Sequence, residues 1–363
     1  MRATLRLQLG IFFFFLLLLP ASMSAQQSSN ASSQLAPKRP AQQETVVVTG
    51  TFGPVPETEI DRSITVIELP QHGLLSKSWI DELQLVPSVD LQQRGANDIQ
   101  ADLTIRGSTF GQTLVLLNGL RMNDVQSGHH DMDLPLPTSS IQRIEILRGA
   151  GSTLYGSDAM AGSVNVITAT PERSDFRLGA GVGNFGVNQE TGSVSFLHKN
   201  FDEEFDAQRD FSSGFRADRD YRSLTLFSTT GIKTGLGYSL LMLGYGDKPF
   251  GADQFYGNFN SWERTKSWFA GLKQPLGTRT EFDLGFRRHT DEFVLFRNQP
   301  QIFENNHIDK SWQADIRRHD SVSKNSTLFY GAEGIHESII SNNLGDHERS
   351  RGAVYLDYDV RVL

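Results

Sequence analysis

The chain has 363 residues, with 34 lysines and arginines against 42 aspartates and glutamates, a formal net charge of −8 and no cysteine. The acidic balance argues against nucleic acid as the main partner, and the lack of cysteine excludes disulfide and thiolate chemistry. The length is sufficient for two domains of ordinary size.

The first 25 residues predict a signal peptide for export. Arg2 and Arg6 precede an apolar run at residues 11–19, and small residues follow at 21–25. Such a run is too short for a helix to cross the ~30 Å core of a bilayer, so it indicates secretion rather than anchoring. Residues 26–43 are rich in Gln, Ser, Ala and Pro. Because this segment is too polar to form a core, we expect a flexible tether over residues 26–56.

A short β-prone run within the tether has no obvious partner strand nearby in the sequence. An unpaired strand normally invites aggregation, unless it is kept free so that another protein can add to it. We therefore interpret the run as a candidate docking strand. It consists of Glu44, Thr45, Val46, Val47, Val48, Thr49 and Gly50.

Residues 57–170 predict a compact α+β domain. A short strand is expected at 63–67, and a helix should start at Ser78 and stop before Pro87. Another strand is expected at 103–105. In residues 114–122, Asn118 and Gly119 separate two apolar runs, which predicts a β-hairpin. A further strand is expected at 141–147.

From about residue 171 the pattern changes to alternation of apolar and polar residues, as in the segment 282–287, FDLGFR. We expect antiparallel strands joined by short turns, such as 275–277, and by long polar loops near 200–220, 247–264 and 298–309. A soluble β-sandwich gives the same alternation and is the alternative. The export signal, the unequal loops and the aromatic residues near strand ends favour an outer-membrane β-barrel over residues 171–363.

Residues 143–168 carry the most specific pattern, RIEILRGAGSTLYGSDAMAGSVNVIT. It resembles the end of the plug domain of TonB-dependent outer-membrane receptors, and the chain is closest in style to the cobalamin-receptor branch. Residues 44–48 resemble the TonB box of that family, and residues 105–107 and 116–119 resemble other plug signatures. The matching plug residues that we single out are Arg106, Gly107, Asn118, Gly119, Arg143, Glu145, Arg148, Gly149, Tyr155, Gly156 and Asn165.

The resemblance implies an energised importer in the outer membrane of a Gram-negative-type bacterium, surrounded by lipid, and not an enzyme. A TonB-type periplasmic coupling protein would pair with residues 44–50, and the solute would be a cobalamin-like molecule or an iron chelate. A non-transporting adhesin or docking protein on the same scaffold is the alternative, and a passive porin is a third. We expect the plug to meet the barrel through charge pairs and hydrogen bonds rather than through an apolar seam.

Plug loops near residues 92–98 and 122–133 are expected to contact the solute. The candidate ligand-binding residues are Gln93, Arg94, Asn97, Asp98, Asn123, His129, His130 and Asp131. His129, His130, Asp131 and Asp133 are compatible with a metal site, but an exposed polar loop is the preferred interpretation, and no metal ligand set is assigned. Extracellular loops could bind calcium, and an acidic group in the loop expected at 200–220 is the place to look. That group comprises Asp202, Glu203, Glu204, Asp206 and Asp210.

The number of strands predicts an incomplete barrel. Residues 174–363 supply about nine strands at outer-membrane spacing, whereas barrels that enclose a plug have about 22. We therefore expect a fragment or a truncated reading frame that does not close a pore by itself.

Overall fold

The computed structural model describes residues 46–49, 55–56, 62–69 and 78–360. The predicted signal peptide lies outside these residues, as do Glu44, Thr45 and Gly50 of the candidate docking strand. Every helix in the described part is short, and none has the length and apolarity needed to traverse a bilayer.

The first region is a small α+β plug. Its central sheet has the order β3-β8-β9-β6-β7, in which β6 and β9 are parallel and the other pairs are antiparallel. Two-stranded ribbons are formed by β1 with β2 and by β4 with β5. The elements are β1 (Val46–Val47), β2 (Val55–Pro56), β3 (Ile64–Glu68), α1 (Trp79–Leu83), β4 (Val89–Gln93), β5 (Ala101–Ile105), β6 (Thr113–Leu117), β7 (Leu120–Arg121), β8 (Ile141–Arg148), α2 (Ser152–Tyr155) and β9 (Gly162–Thr168).

Local sequence signals explain two plug elements. Helix α1 begins where the Ser78 hydroxyl accepts a hydrogen bond from the Ile80 N–H, as an N-cap should, but it ends at Leu83, before the expected stop at Pro87. The hairpin prediction is confirmed, because β6 and β7 pair through Leu117 and Leu120. The two turn residues, Asn118 and Gly119, have φ of 49° and 87°, which the type I′ turn requires.

The second region is one antiparallel sheet of ten strands, one more than expected, in which every strand pairs with the next along the chain. We call this sheet the wall. Within the described residues β10 and β19 are its two edges. The strands are β10 (Asp175–Val182), β11 (Asn188–His198), β12 (Phe201–Ser212), β13 (Tyr221–Thr234), β14 (Gly237–Asp253), β15 (Asn260–Pro275), β16 (Thr280–Val294), β17 (Glu304–Ser323), β18 (Ser326–Ser341) and β19 (Gly345–Val360).

The wall has inverted polarity, with polar side chains on the inner face and apolar ones outside. In β12, Asp206 is 1% exposed and faces inward, whereas Phe205 is 41% exposed and faces outward. An apolar outer band over a polar interior is the arrangement that lipid requires of a barrel. The soluble β-sandwich, which buries an apolar interior, does not fit this pattern.

The inverted polarity also explains why the predicted loops are wrong in extent. Residues 201–212, 247–253, 260–264 and 304–309 belong to strands, because a polar stretch in this wall faces the interior rather than solvent. The acidic group at residues 202–210 therefore lies on β12 and not in a loop. The loops that remain are 213–220, 254–259 and 295–303 at one end of the wall, which we call the long-loop end. The turns 199–200, 235–236, 276–279 and 324–325 define the short-turn end.

Candidate functional sites at the two ends of the plug

At the short-turn end, the plug holds part of the candidate docking strand. One oxygen of the buried Glu145 carboxylate, Oε2, accepts hydrogen bonds from the backbone N–H of Val48 (3.1 Å) and of Thr49 (2.8 Å). The other oxygen accepts a bond from Arg143 Nε at 2.9 Å. The Thr49 hydroxyl accepts a further bond from Asn165 Nδ2 at 2.9 Å. We call these contacts of Val48 and Thr49 with Glu145 and Asn165 the latch.

The latch joins residues that the sequence singled out separately. Glu145 on β8 and Asn165 on β9 are directly opposite each other in the plug sheet. Asn165 Oδ1 also accepts the Gly119 N–H at 3.0 Å, which ties the latch to the hairpin turn. The signature residues therefore meet around the segment that the resemblance identifies as the TonB box.

The expectation that this strand lacks a partner is wrong for its described part. Val46 pairs with Pro56 and Val47 pairs with Val55, in antiparallel register. The second strand, β2 (Val55–Pro56), lies farther along the chain than the immediate neighbours of the valine run. No strand was predicted there from the sequence, so the pairing was missed. A ladder of two residues is weak by itself, so the latch supplies most of the specific attachment of residues 48–49 to the plug.

The remaining signature residues shape the turns of the plug. Arg106 and Gly107 both have positive φ, 55° and 74°, and lead the chain out of β5. Gly149 has a φ of 111°, and a Cβ there would lie 3.3 Å from Arg106 Nη1. Arg148 N–H donates to the Ser63 carbonyl at 2.9 Å. These glycines therefore permit close approach of backbone and guanidinium.

Side chains of the plug contact the wall at β7. Arg121 bonds to Glu333 of β18 (Nε–Oε1 2.8 Å) and donates to the Tyr155 carbonyl at 2.6 Å. Asp158, just beyond Gly156, pairs with Arg351 of β19 at 2.8 Å. Burial opposes the charge of Asp158, but Arg351 and Arg121 outweigh it and lower its pKa.

At the long-loop end, residues 122–134 of the plug carry a series of acidic and histidine side chains into the wall. Lys248 of β14, 1% exposed, bridges two plug carboxylates, Asp98 at 3.0 Å and Asp133 at 2.9 Å. Burial disfavours ionised Asp133, yet Lys248 and His289 hold its pKa well below the ordinary value. This is a buried ion bridge between plug and wall, in which each charge depends on the others.

β16 supplies two further bases to the same interface. Arg287 Nη1 lies 2.6 Å from Asp124 Oδ2. The ring of His289 lies between two carboxylates, with Nδ1 3.1 Å from Asp124 and Nε2 3.0 Å from Asp133. Burial opposes the charge of Asp124, but His289 and Arg287 outweigh it and lower its pKa.

His130 lies beside this network and faces two wall carboxylates. Its Nε2 is 3.7 Å from Asp291 Oδ2 and 4.0 Å from Glu263 Oε1. Burial lowers the pKa of His130, but Asp291, Glu263 and Asp124 outweigh burial and raise it to about 10. The imidazole therefore carries the positive charge that faces these two acids.

The exposed-loop interpretation of residues 129–133 is wrong, because the wall covers most of this segment. His130, Asp131 and Asp133 are all buried. Burial raises the pKa of Asp131 well above its ordinary value, and its carboxylate accepts bonds from Asn123 Nδ2 and the Asp124 N–H. Sequence reasoning placed these groups correctly on a loop but could not show what packs over it.

The other candidate ligand residues lie nearer the rim. His129 Nδ1 is 2.7 Å from Asp102, and Arg94 also bonds to that carboxylate. Burial opposes the charge of Asp102, but His129 and Arg94 outweigh it and lower its pKa. Asn97 donates to the Tyr221 hydroxyl at 3.0 Å and lines a cavity of about 870 Å³. Gln93 donates to Asp81 at 3.2 Å within the plug.

The expected charge pairs between plug and wall are present, but an apolar patch, which was not expected, also joins the two regions. Phe227, Met242 and Phe269 of the wall are buried in the same cluster as the plug core. Sequence reasoning also missed the buried wall residues Lys248, Glu263, Arg287, His289 and Asp291. A signal was present, since Arg287, His289 and Asp291 are spaced two apart and so share one face of a strand.

A plug that is packed against a wall with a lipid-compatible outer face defines a class, the plug-containing outer-membrane β-barrel proteins. Comparison with known proteins narrows the class. Residues 56–163 match the family model described as the TonB-dependent Receptor Plug Domain. The matched segment is therefore a plug domain of the TonB-dependent receptors, a family of Gram-negative outer-membrane receptors and transporters rather than enzymes.

Curated relatives and a solved structure agree with the family. The chain is 38% identical to the Vitamin B12 transporter BtuB of Vibrio vulnificus over 145 residues, which are 38% of this chain and 23% of that protein. It is 24% identical to the Vitamin B12 transporter BtuB of Photobacterium profundum over 353 residues, or 91% and 56% of the two chains. The siderophore receptor PirA of Pseudomonas aeruginosa shares the fold, with a TM-score of 0.60 at 16% identity over 83% and 53% of the two chains. The chain spans about half the length of the curated relatives it matches.

Proposed function

We propose that this receptor takes part in energised import of a scarce solute, a cobalamin-like molecule or an iron chelate. Residues 44–50 would serve as the docking strand for a TonB-type periplasmic protein. The observation that carries the proposal is the latch, in which Glu145 and Asn165 hold Val48 and Thr49. A partner strand can replace these contacts one by one, because they are mostly hydrogen bonds to the backbone.

The two ends of the plug fit the two tasks of such a protein. Val48 lies at the short-turn end, where it lines a cavity together with Thr278 and Arg279. Asn97 lies at the long-loop end, where it lines the larger cavity with Tyr221 and Phe255. A concave space lined by aromatic and polar side chains suits a large organic ligand that carries polar groups. In the proposed arrangement, solute binds at the long-loop end and the coupling protein acts at the short-turn end.

The solute class is supported by the comparisons alone. Two relatives are named as vitamin B12 transporters, whereas PirA, which shares the fold, is named as a siderophore receptor. We therefore place cobalamin first and iron chelates second.

Deletion of residues 44–50 tests the proposal in cells that lack their own receptors. Uptake of labelled cobalamin and of a labelled ferric chelate would be compared with surface binding of the same solutes. We expect uptake to be abolished while surface binding survives. Deletion of seven residues within the polar segment 27–43 is the matched control and should leave uptake intact. Equal uptake by both deletion variants would contradict energy coupling through this strand, and cell adhesion without any uptake would favour the adhesin.

A further inference from the structure

We propose that His130, Glu263 and Asp291 form a binding site for one divalent transition-metal ion, of which Zn²⁺ is the best-matched example. The site joins the plug, through His130, to β15 and β16 of the wall. It does not depend on the proposed import function. Its possible ligand atoms, one from each residue, all lie within 4.8 Å of one another.

The spacing of these three groups fits a metal better than it fits direct bonds. The His130 Nε2 atom is 3.7 Å from Asp291 and 4.0 Å from Glu263, both beyond hydrogen-bond distance. In a tetrahedral zinc site with bonds of about 2.1 Å, ligand atoms are about 3.4 Å apart. The two distances from His130 Nε2 exceed this value by only a few tenths of an ångström, and the third distance, between the two carboxylates, is within 4.8 Å.

The carboxylates are oriented toward a ligand that the described residues do not supply. Glu263 is 1% exposed, and its Oε2 accepts the Tyr256 hydroxyl at 2.7 Å, whereas Oε1 has no hydrogen-bond partner among the described residues. Asp291 is 4% exposed, and its Oδ2 accepts Gln126 Nε2 at 3.0 Å, whereas Oδ1 is likewise unpartnered in the described part. In Glu263 the outer group fixes Oε2 and leaves Oε1, the atom 4.0 Å from His130 Nε2, available, as is typical of metal-binding carboxylates. In Asp291 the oxygen nearest His130 is Oδ2, which also accepts from Gln126, and Oδ1 is the available atom.

The charge balance of the interface also favours a bound cation. Lys248 and Arg287 are the buried lysine and arginine side chains of the described residues. Both are already engaged, Lys248 with Asp98 and Asp133 and Arg287 with Asp124. Glu263 and Asp291 are therefore opposed by a single imidazole. A divalent ion that displaces the His130 Nε2 proton to solvent would add one net positive charge beside the two carboxylates.

The ligand set selects the kind of metal. One imidazole nitrogen with carboxylate oxygens suits Zn²⁺ and its first-row neighbours, whereas Ca²⁺ and Mg²⁺ prefer oxygen alone. A second cluster, Asp124, His289 and Asp309, is less suited. Each ring nitrogen of His289 already lies 3.0–3.1 Å from a carboxylate oxygen, so a metal would have to displace an existing ion pair.

Metal binding to the purified full chain tests the site. The chain would be stripped of metal in detergent, equilibrated with ZnCl₂ and assayed for bound zinc by mass spectrometry. We expect about one Zn²⁺ per chain, weakened at least tenfold in His130→Ala and in Glu263→Gln. Tyr256→Phe should weaken binding by about tenfold, because it removes only the outer hydrogen bond. His129→Ala is the matched control, since the neighbouring histidine bonds to Asp102 instead, and it should bind zinc as the parent does.

A second measurement keeps the proposal open to refutation if a variant fails to fold. Co²⁺ bound to the unaltered chain should give the visible absorption of a four-coordinate site with a nitrogen ligand, and added Zn²⁺ should abolish it. Excess Ca²⁺ should not. The proposal is overturned if the unaltered chain binds no Zn²⁺, if folded His130→Ala binds it equally well, or if Ca²⁺ displaces Co²⁺. Deletion of residues 44–50 should leave zinc binding unchanged, so failure of the import proposal would not affect this result.

Discussion

The two ends of the plug are attached in different ways. At the short-turn end, the latch holds a short segment mainly through backbone N–H groups and one carboxylate. At the long-loop end, buried charged side chains from plug and wall bridge one another, as Lys248 does between Asp98 and Asp133. Hydrogen bonds to a backbone can be exchanged for those of another strand, whereas a buried charge cannot lose its partner cheaply. The comparison indicates a releasable end and an anchored end.

The largest expected effect comes from breaking the anchor. Lys248→Met removes the cation between Asp98 and Asp133, so the buried Asp98 carboxylate loses its cation and Asp133 retains only His289. We expect a loss of about 3–5 kcal/mol, seen as amide hydrogen exchange that is about two to four orders of magnitude faster in residues 122–134. Lys233→Met, at an exposed position of β13, is the control. Unchanged exchange in Lys248→Met would mean that the long-loop end is not anchored by this bridge.

A smaller effect is expected from loosening the latch. Glu145→Gln keeps the side-chain shape but removes the charge that accepts from Val48, Thr49 and Arg143. Hydrogen bonds to charged groups contribute about 1.5–3 kcal/mol, so the loss of this charge should expose residues 46–49. A single introduced cysteine, Val47→Cys, should then react markedly faster with a thiol label. The natural chain has no cysteine, so the label is specific.

The control for the latch is Glu190→Gln on the exposed surface of β11. Labelling should be the same as in the parent. The comparison of the two ends would fail if Glu145→Gln accelerated hydrogen exchange at residues 122–134 as much as it exposed residues 46–49.

The turn behind the latch should give a still smaller effect. Gly119 has a φ of 87°, so Gly119→Ala forces a side chain into the left-handed region at a cost of about 1–2 kcal/mol. The thermal unfolding midpoint of the plug should fall by a few degrees, and the latch should loosen slightly because Gly119 bonds to Asn165. Gly111→Ala, where a Cβ would meet open space, is the control. Equal midpoints for the two variants would show that the turn conformation does not limit stability.

The smallest effect concerns the pair of Asp158 and Arg351. The folded-state pKa of Asp158 is below its ordinary value of 3.8. The pair therefore stabilises the attachment above about pH 4, and this contribution is lost as the pH falls through the lower folded-state pKa. Both side chains are partly exposed, so we expect at most about 1 kcal/mol. The stability of the parent should fall by this amount between pH 6 and pH 3, and this fall should be absent in Asp158→Asn. Identical pH profiles of the two proteins would rule out a contribution from the pair.

Patterns that are local in the chain were predictable. The Asn118–Gly119 hairpin, the start of α1 at Ser78 and the alternation of the wall strands all follow from short-range chemistry, and the plug signature identified the family. Strand β12 was misread as a loop because polar residues normally mark solvent, whereas here they face an interior that holds a plug. The extent of β12 could be predicted only once the polar face of the wall was known to point inward.

Long-range contacts were not predictable in the same way. His130 meets Glu263 and Asp291 across more than a hundred residues, and nothing in the segment 128–131 indicates which strands will cover it. The contact between Thr49 and Glu145 is similar, since 96 residues separate them. The resemblance to TonB-dependent receptors singled out both Thr49 and Glu145, but their contact depends on the packing of the plug sheet.

The position of the latch within the plug sheet has a mechanical consequence. Glu145 and Asn165 form one rung between β8 and β9, and these strands are flanked by β3 on one side and by β6 on the other. Tension applied to Thr49 would enter the sheet at this single rung and divide between two interior strands. The sheet would thus be loaded from its middle rather than peeled from an edge, and the first element to yield would be the attachment itself.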